Sequence, residues 1–280
     1  MAFIEIGGVA ARYVLQGQAG PLLVLIHEMG GSLDSWDNVV ERLQENWRVL
    51  RYDVRGAGLS EKLKGDVTVD ALAGDLIALL DALDLREPIC LAGSAVGAAI
   101  AVAVAALHPS RIAALALLSP ATGIPAHARM DRQTFADTLL AGGMRAIVEP
   151  TLAAGYPPLL RAADPARFAA FRARWLGNDP ESYRFTYRML IDMDLTPYYG
   201  RIACPVLGIG AEHDALRPPA SVQAVVAQIP CHRFTVLPTG HHASVQTPAE
   251  VASVLDGFFG EVAGGAASMA CSMSGADPWP

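Results

Sequence analysis

A succession of short apolar runs is the feature that most restricts how this chain can fold. Leu22–Ile26 is five apolar residues in a row, the pattern of a strand covered on both faces rather than one with a wet face. The other runs occupy residues 47–52, 89–92, 112–118, 206–209 and 233–237. Helix-length stretches separate many of them, such as 69–83, where apolar residues recur at helical spacing. The order predicts an α/β fold with a mostly parallel, twisted sheet flanked by helices.

The pattern changes between residues 121 and 201. This stretch contains many arginines, no lysine and no clear strand, and its helix patterns are broken at 142–143, 156–158 and 178–180. We therefore predict an α/β core formed by residues 1–120 and 202–262, with a helical lid inserted at 121–201. The remaining residues, 263–280, are rich in Gly, Ala and Ser, and we expect a flexible tail or a non-native extension.

Composition excludes several classes of protein. Hydrophobic residues make up 52% of the 280, enough for a large core. The most apolar run, 96–107, falls short of the roughly 20 residues that span a bilayer and predicts a buried helix. The amino terminus shows no basic stretch followed by an apolar one, so a cytoplasmic location and no membrane partner are the expectations. A net charge of −7 with scattered basic residues argues against nucleic acid.

No metal or cofactor is expected. The four cysteines lack the close pairing typical of a zinc site, and the adjacent His241 and His242 would point apart on a strand or helix. A dinucleotide fingerprint requires G-x-G-x-x-G after a first strand, and the glycines do not fit it. The chemistry therefore has to come from side chains, with a small molecule as the expected partner.

The strongest local signal is Gly93-Ser94-Ala95-Val96-Gly97, between an apolar strand and an Ala-rich helix. In a nucleophile elbow, the central residue adopts a strained conformation and its side chain stands exposed above the sheet. The spacing matches, but position 95 carries alanine, and a methyl group cannot attack a carbonyl. Ser94 lies one residue earlier, so its side chain is expected to point elsewhere; it remains a minor candidate as nucleophile and a possible substrate contact.

A second signal is His27-Glu28-Met29-Gly30-Gly31, directly after the strand that ends at Ile26. Acyl transfer needs backbone N–H donors where negative charge develops on oxygen, and the expected pair is the N–H of Met29 and that of Val96. Glu28 is unusual, because its carboxylate would repel an oxyanion. Either Glu28 points away into a hydrogen-bonded position, or it contacts substrate in a less orthodox reaction.

The segment Asp53-Val54-Arg55-Gly56-Ala57-Gly58-Leu59-Ser60 resembles the D-x-R-G-x-G-x-S loop of lid-bearing α/β-hydrolases. The chain is therefore identified as similar to that superfamily over about residues 8–260. The loop at residues 53–60 is expected to have a structural role rather than a catalytic one.

The resemblance also implies an acid and a base. Gly210-Ala211-Glu212-His213-Asp214 resembles the family's acid loop, with Asp214 as the match and Glu212 as the fallback, because the spacing is one residue longer. Gly240-His241-His242 resembles the loop of the catalytic histidine, with His241 as the match and His242 as its neighbour. A histidine takes the proton of a nucleophile, and a carboxylate orients the histidine. The expected triad is position 95, Asp214 and His241.

Three interpretations of Ala95 stay open. In the first, alanine replaces a serine deliberately and leaves an inactive serine hydrolase. In the second, the alanine is natural and the protein binds a ligand without hydrolysing it. In the third, His241, with Glu28, catalyses a serine-independent acid–base reaction, as a lyase or decarboxylase would.

The substrate class follows only from the resemblance. The segment Ser32-Leu33-Asp34-Ser35-Trp36 and the layout are similar to enol-lactone hydrolases and to ring-degradation deformylases or amidohydrolases. The resemblance implies a small ester, lactone or amide, with a carboxylate that one or two lid arginines hold. Trp175 and Tyr156 are expected either to line an apolar pocket or to pack the lid. The oligomeric state is open.

Overall fold

The fold was analysed in a computed structural model that describes residues 2–124 and 129–265. Eight strands form one sheet in the order β1-β2-β4-β3-β5-β6-β7-β8. They span Ala2–Ile6, Val9–Gln16, Leu22–Ile26, Arg48–Tyr52, Ile89–Ser94, Ile112–Leu118, Val206–Ala211 and His232–Leu237. Strands β3 to β8 run parallel, whereas β1 and β2 pair antiparallel with each other, as β2 does with β4. The predicted mostly parallel sheet is confirmed, and the amino-terminal hairpin β1–β2 is an addition that the sequence did not indicate.

The helices are numbered α1 to α11 along the described residues. They span Asp37–Leu43, Val69–Ala82, Val96–Leu107, Arg129–Gly155, Pro158–Ala163, Pro165–Leu176, Pro180–Asp192, Thr196–Tyr199, Pro219–Val226, Ala243–Gln246 and Pro248–Ala263. Within the described residues, no helix is both long and apolar enough to cross a membrane.

Strand β3 shows why the sheet is buried on both sides. Leu22, Val24 and Ile26 belong to one apolar cluster, and the intervening Leu23 and Leu25 belong to a second cluster on the opposite face. Side chains of a strand alternate between faces, so a continuous apolar run supplies both clusters. Strand β3 is therefore packed between two apolar clusters, one on each face of the sheet.

Helices α4 to α8 are inserted between β6 and β7, in the region where the sequence shows helix patterns without strands. Helix α4 is kinked at Gly143, where φ is 64°, within the predicted break at 142–143. These inserted helices have their own apolar cluster, which includes the fully buried Tyr156 and Trp175. The arginine side chains at 129 and 132 and most of the predicted tail, 266–280, lie outside what the structure describes.

Candidate active site

Ala95 occupies a strained turn between β5 and α3. Its φ is 50° and its ψ −111°, a conformation that costs a residue with a side chain about 1–3 kcal/mol. The turn is fixed by its backbone: the N–H of Ala95 donates to the carbonyl of Leu118 over 2.9 Å, and its own carbonyl accepts the N–H of Ala121 over 3.0 Å. Ala95 therefore has the strained backbone that is expected at the centre of a nucleophile elbow, and its side chain is a methyl group.

The glycines on either side of Ala95 are required by close packing. A Cβ at Gly93 would lie 2.4 Å from the carbonyl oxygen of Gly97. A Cβ at Gly97 would lie 2.5 Å from the carbonyl oxygens of both Ile26 and His27. Neither glycine has room for a side chain, so the helix can approach β3 and β5 only with this sequence.

Ser94 is placed differently from its neighbour. It ends β5, is fully buried, and its Oγ has no hydrogen-bond partner within the described residues. The two described thiols without a disulfide, Cys90 and Cys204, are also buried, and burial raises the pKa of each to about 12. These two thiols are therefore poor nucleophiles, since the reactivity of a thiol requires the thiolate form.

Asp214 and His241 are in direct contact. Nδ1 of His241 lies 2.7 Å from Oδ2 of Asp214, and Oδ1 of Asp214 accepts the backbone N–H groups of Leu216 and Arg217 over 2.8 and 2.9 Å. Burial raises the pKa of the Asp214 carboxyl, but the bond to His241 and the other donors outweigh it and hold the pKa below its usual value. Asp214 is therefore a carboxylate at neutral pH, whereas the alternative acid, Glu212, is exposed.

The tautomer of His241 follows from this contact. A carboxylate accepts, so Nδ1 carries the proton and Nε2 of the neutral ring has a free lone pair. Within the described residues, Nε2 has no hydrogen-bond partner. The ring is thus arranged as a base, with its accepting nitrogen on the side away from Asp214.

Ser119 connects the two halves of the site. It follows β6 with a positive φ of 43°, and its hydroxyl is close enough to Asp214 to help lower the pKa of that carboxyl. Because Leu118 and Ala121 on either side of it bond the backbone of Ala95, Ser119 links the elbow to the acid. Sequence reasoning missed this residue, although a Ser-Pro pair at the carboxyl end of a buried strand was visible.

The loop after β3 presents the expected N–H donors. The N–H of Gly31 donates to the carbonyl of Glu28 over 3.0 Å, closing a turn in which Gly30 has φ 81°. The backbone N–H groups of Met29 and of Val96, the first residue of α3, have no acceptor within the described residues. Free N–H donors are suited to a developing negative charge, and the donor of Val96 also lies at the start of α3.

His27 holds this loop in place through both of its ring nitrogens. Its Nδ1 lies 2.7 Å from the carbonyl oxygen of Glu28, and its Nε2 accepts the N–H of Val54 over 3.0 Å. The ring is therefore neutral with its proton on Nδ1, and it ties the turn to the loop that begins at Asp53. His27 is a second positioning residue that sequence reasoning did not identify.

Glu28 points into the protein. Its side chain is 1% exposed, Oε1 accepts the hydroxyl of Ser35 over 2.9 Å, and Oε2 has no partner within the described residues. Of the two alternatives, the structure has the hydrogen-bonded one. A role of Glu28 in contacting substrate stays a prediction.

His242 lies between the site and the inserted helices. Its ring is 5.3 Å from that of His241 and 4.7 Å from that of Phe171, measured between centroids. Neither ring nitrogen has a partner within the described residues, and burial lowers the pKa to about 3. His242 is therefore an uncharged packing residue at neutral pH.

Two cavities meet at the oxyanion loop. An inner cavity of about 30 Å³ is bordered by Met29, Val96 and Tyr183, and an outer cleft of about 300 Å³ by Arg174 and Phe171. Gly30 and Asn178 border both, and Nδ2 of Asn178 donates to the carbonyl of Gly30 over 2.8 Å. Gly30 and Asn178 therefore lie between the outer cleft and the inner cavity that Met29 and Val96 border.

Trp175 and Tyr156 are not among the residues that border either of these two cavities. The Trp175 ring packs against Tyr183 with centroids 5.3 Å apart, and Tyr156 against Phe168 at 4.9 Å. Both are buried in the cluster of the inserted helices, and their contact with substrate stays a prediction.

Comparison with known protein sequences identifies a hydrolase family and related hydrolytic enzymes. A family model described as serine aminopeptidase, S33, matches residues 17–247. RutD of Escherichia coli O103:H2, assigned as a carbamate hydrolase, is 30% identical over 84% of this chain and 89% of its own. Pyrrolizixenacetamide deacetylase of Xenorhabdus hominickii is 24% identical over 91% and 96%, respectively.

Two solved structures, of an enol-lactonase and an esterase, are similar to this chain over almost its whole length. The enol-lactonase of Burkholderia xenovorans LB400 has a TM-score of 0.86 at 28% identity, covering 93% of this chain and 100% of that one. A thermophilic esterase of Thermogutta terrifontis has a TM-score of 0.88 at 25% identity, covering 94% and 99%. These similarities confirm the resemblance that the motifs indicated.

Proposed function

Because the chain belongs to the serine aminopeptidase S33 family of α/β-hydrolases, we propose that its site is built to hydrolyse a small ester, lactone or amide through an acyl-enzyme, and that Ala95 withholds the nucleophile. Two observations together carry the proposal: the strained backbone of Ala95 and the direct contact between His241 and Asp214. The strained turn brings no chemical advantage when the side chain is a methyl group. A hydroxyl at position 95 would be exposed by the same turn as a nucleophile.

The reaction follows from the geometry once a serine stands at position 95. Its Oγ attacks the carbonyl carbon while Nε2 of His241 takes the proton and Asp214 stabilises the charged ring. The N–H groups of Met29 and Val96 hold the oxyanion. Collapse expels the leaving group with a proton from His241, and water then cleaves the acyl-enzyme by the same route.

The alanine removes the first step. Losing the nucleophile of a triad lowers turnover by about a million-fold, with roughly 10³ to 10⁴ over water left from the oxyanion hole and binding. The present chain is accordingly nearly inert as a serine hydrolase, with its binding site retained.

The substrate class rests on the named relatives. An enol-lactonase, an esterase, a deacetylase and a carbamate hydrolase all transfer an acyl group to water. The inserted helices serve as a lid in this proposal, since the backbone N–H of His241 donates to the carbonyl of Gly155 at the end of α4 over 3.1 Å. Residues 1–120 and 202–262 form the core beneath it.

The test is turnover of an aryl ester, a lactone, a formamide and a carbamate by the unchanged chain and by Ala95→Ser. We expect Ala95→Ser to gain several orders of magnitude on at least one substrate. Ala95→Gly is the control, because it also changes position 95 but supplies no hydroxyl, and it should stay inactive. A folded Ala95→Ser protein that turns over none of the four contradicts the proposal.

A further inference from the structure

The base of the site is complete without the nucleophile. Nδ1 of His241 is held by Asp214 over 2.7 Å, and Nε2 has no partner within the described residues. We propose that the chain, with Ala95 as it stands, catalyses proton transfer at the carbon next to a carbonyl group, in a small ketone or ester. Nε2 of His241 removes the α-proton, and the N–H groups of Met29 and Val96 hold the enolate oxygen.

Asp214 prepares His241 for this role. The carboxylate fixes the proton on Nδ1, so the lone pair on Nε2 is available, and it stabilises the imidazolium that forms when Nε2 takes a proton. Two backbone N–H groups, those of Leu216 and Arg217, hold the carboxylate in turn. The pair is therefore an oriented base whether or not a serine stands beside it.

The oxyanion donors suit an enolate as well as a tetrahedral intermediate. In both cases negative charge collects on what was a carbonyl oxygen, and preorganised donors stabilise it. The free N–H groups of Met29 and Val96 supply this, and Val96 adds the positive end of α3. No part of this stabilisation depends on an attacking group.

The methyl of Ala95 favours proton abstraction over acyl transfer. A serine hydroxyl in this turn would donate to Nε2 and occupy the lone pair that the C–H bond must reach. Ala95 has no donor, and its backbone still follows the elbow, with φ 50°. The alanine that prevents hydrolysis in the proposed function thus leaves the base free.

The step balances without a co-reactant. The C–H bond breaks, its electron pair forms the C=C bond of the enolate, the carbonyl π electrons move to oxygen, and the proton goes to Nε2. On reversal Nε2 returns a proton to the same carbon. In D₂O the nitrogen exchanges with solvent, so the net result is replacement of the α-hydrogen by deuterium.

The probe for this reaction is a small ketone. The inner cavity of about 30 Å³ is bordered by Met29 and Val96, but the described residues around it do not include His241 or Ala95, so its volume does not set the length of the substrate. 2-Butanone is a suitable probe because both of its α-positions can be followed by proton NMR.

The experiment measures loss of the α-hydrogen signals of 2-butanone in D₂O with the unchanged chain, His241→Ala, Ala95→Ser and His232→Ala. We expect exchange by the unchanged chain about 10²- to 10⁴-fold above the same concentration of free imidazole, the range for a positioned base. It should fall to background in His241→Ala and be slower in Ala95→Ser. His232→Ala is the matched control, since that ring lies at the opposite end of β8 and bonds the carbonyl of Ile229.

The proposal is overturned if the folded unchanged chain exchanges the α-hydrogens of 2-butanone no faster than background. It is also overturned if the exchange rate is retained in His241→Ala, or if Ala95→Ser exchanges as fast as the unchanged chain. His241→Gln provides a second variant if His241→Ala unfolds. The outcome is separable from the proposed hydrolysis, which is scored on Ala95→Ser with esters and does not involve α-exchange.

Discussion

Acid should destabilise this fold through His242. The ring is buried, packs on Phe171 and His241, and has no hydrogen-bond partner for either nitrogen within the described residues. Protonation would therefore place a charge against the inserted helices without a carboxylate in contact to balance it. We expect His242→Leu, of similar volume and without a titrating group, to remove this sensitivity.

The magnitude follows from the pKa of His242. Burial lowers it from 6.5 to about 3, so the unfolded chain binds a proton at a pH where the folded chain does not. The free energy of unfolding then falls as pH drops from about 6.5 towards about 3, by about 1.4 kcal/mol per unit. Near pH 4.5, about two units into this window, His242 should have lowered stability by about 3 kcal/mol.

The assay is urea unfolding of the unchanged chain and His242→Leu across this pH range. Other groups that titrate, including Asp214, are present in both proteins and cancel in the difference. The difference should be constant above about pH 7 and should grow in favour of His242→Leu to about 3 kcal/mol near pH 4.5. Parallel stability curves down to that pH would refute the reasoning.

Three further changes test other parts of the account. Gly97→Ala places a Cβ 2.5 Å from the Ile26 carbonyl and should lower the free energy of unfolding by about 1–3 kcal/mol or more, measured in urea; an unchanged midpoint would contradict the close packing. Asp214→Asn, introduced together with Ala95→Ser, should lower kcat for an aryl ester by about 10⁴, and a loss under tenfold would exclude Asp214 as the orienting acid. Asn178→Ala removes the bond to the carbonyl of Gly30, worth about 0.5–1.5 kcal/mol, and should speed amide exchange in α6 and α7; unaltered exchange would show that this bond does not hold the two helices against the loop after β3.

Much of the fold was predictable because burial leaves a plain pattern. Strands β3 and β6 have the bounds that their apolar runs indicate. The hairpin β1–β2 was missed, since its residues are partly exposed and carry no continuous apolar run. A strand at a wet edge has less reason to be apolar, so the signal that located the central strands is weak there.

The sequence could indicate candidate site residues only where one loop carries the motif. The Gly93–Gly97 turn and the loop of His241 are such local motifs, and their catalytic roles stay predictions. Ser119, His27 and Asn178 were not identified, because each acts through a partner brought close by folding. Asn178 and Gly30, for example, are 148 residues apart in the chain.

The central claim is that position 95 lacks only an oxygen, and labelling tests it most directly. Ala95→Ser and the unchanged chain are treated with a fluorophosphonate, and intact mass and peptide mapping locate any adduct. The account predicts one phosphonyl group on Ala95→Ser, attached at position 95, lost when His241→Ala is added, with none at that position in the unchanged chain. A folded Ala95→Ser protein that takes no label there would contradict it.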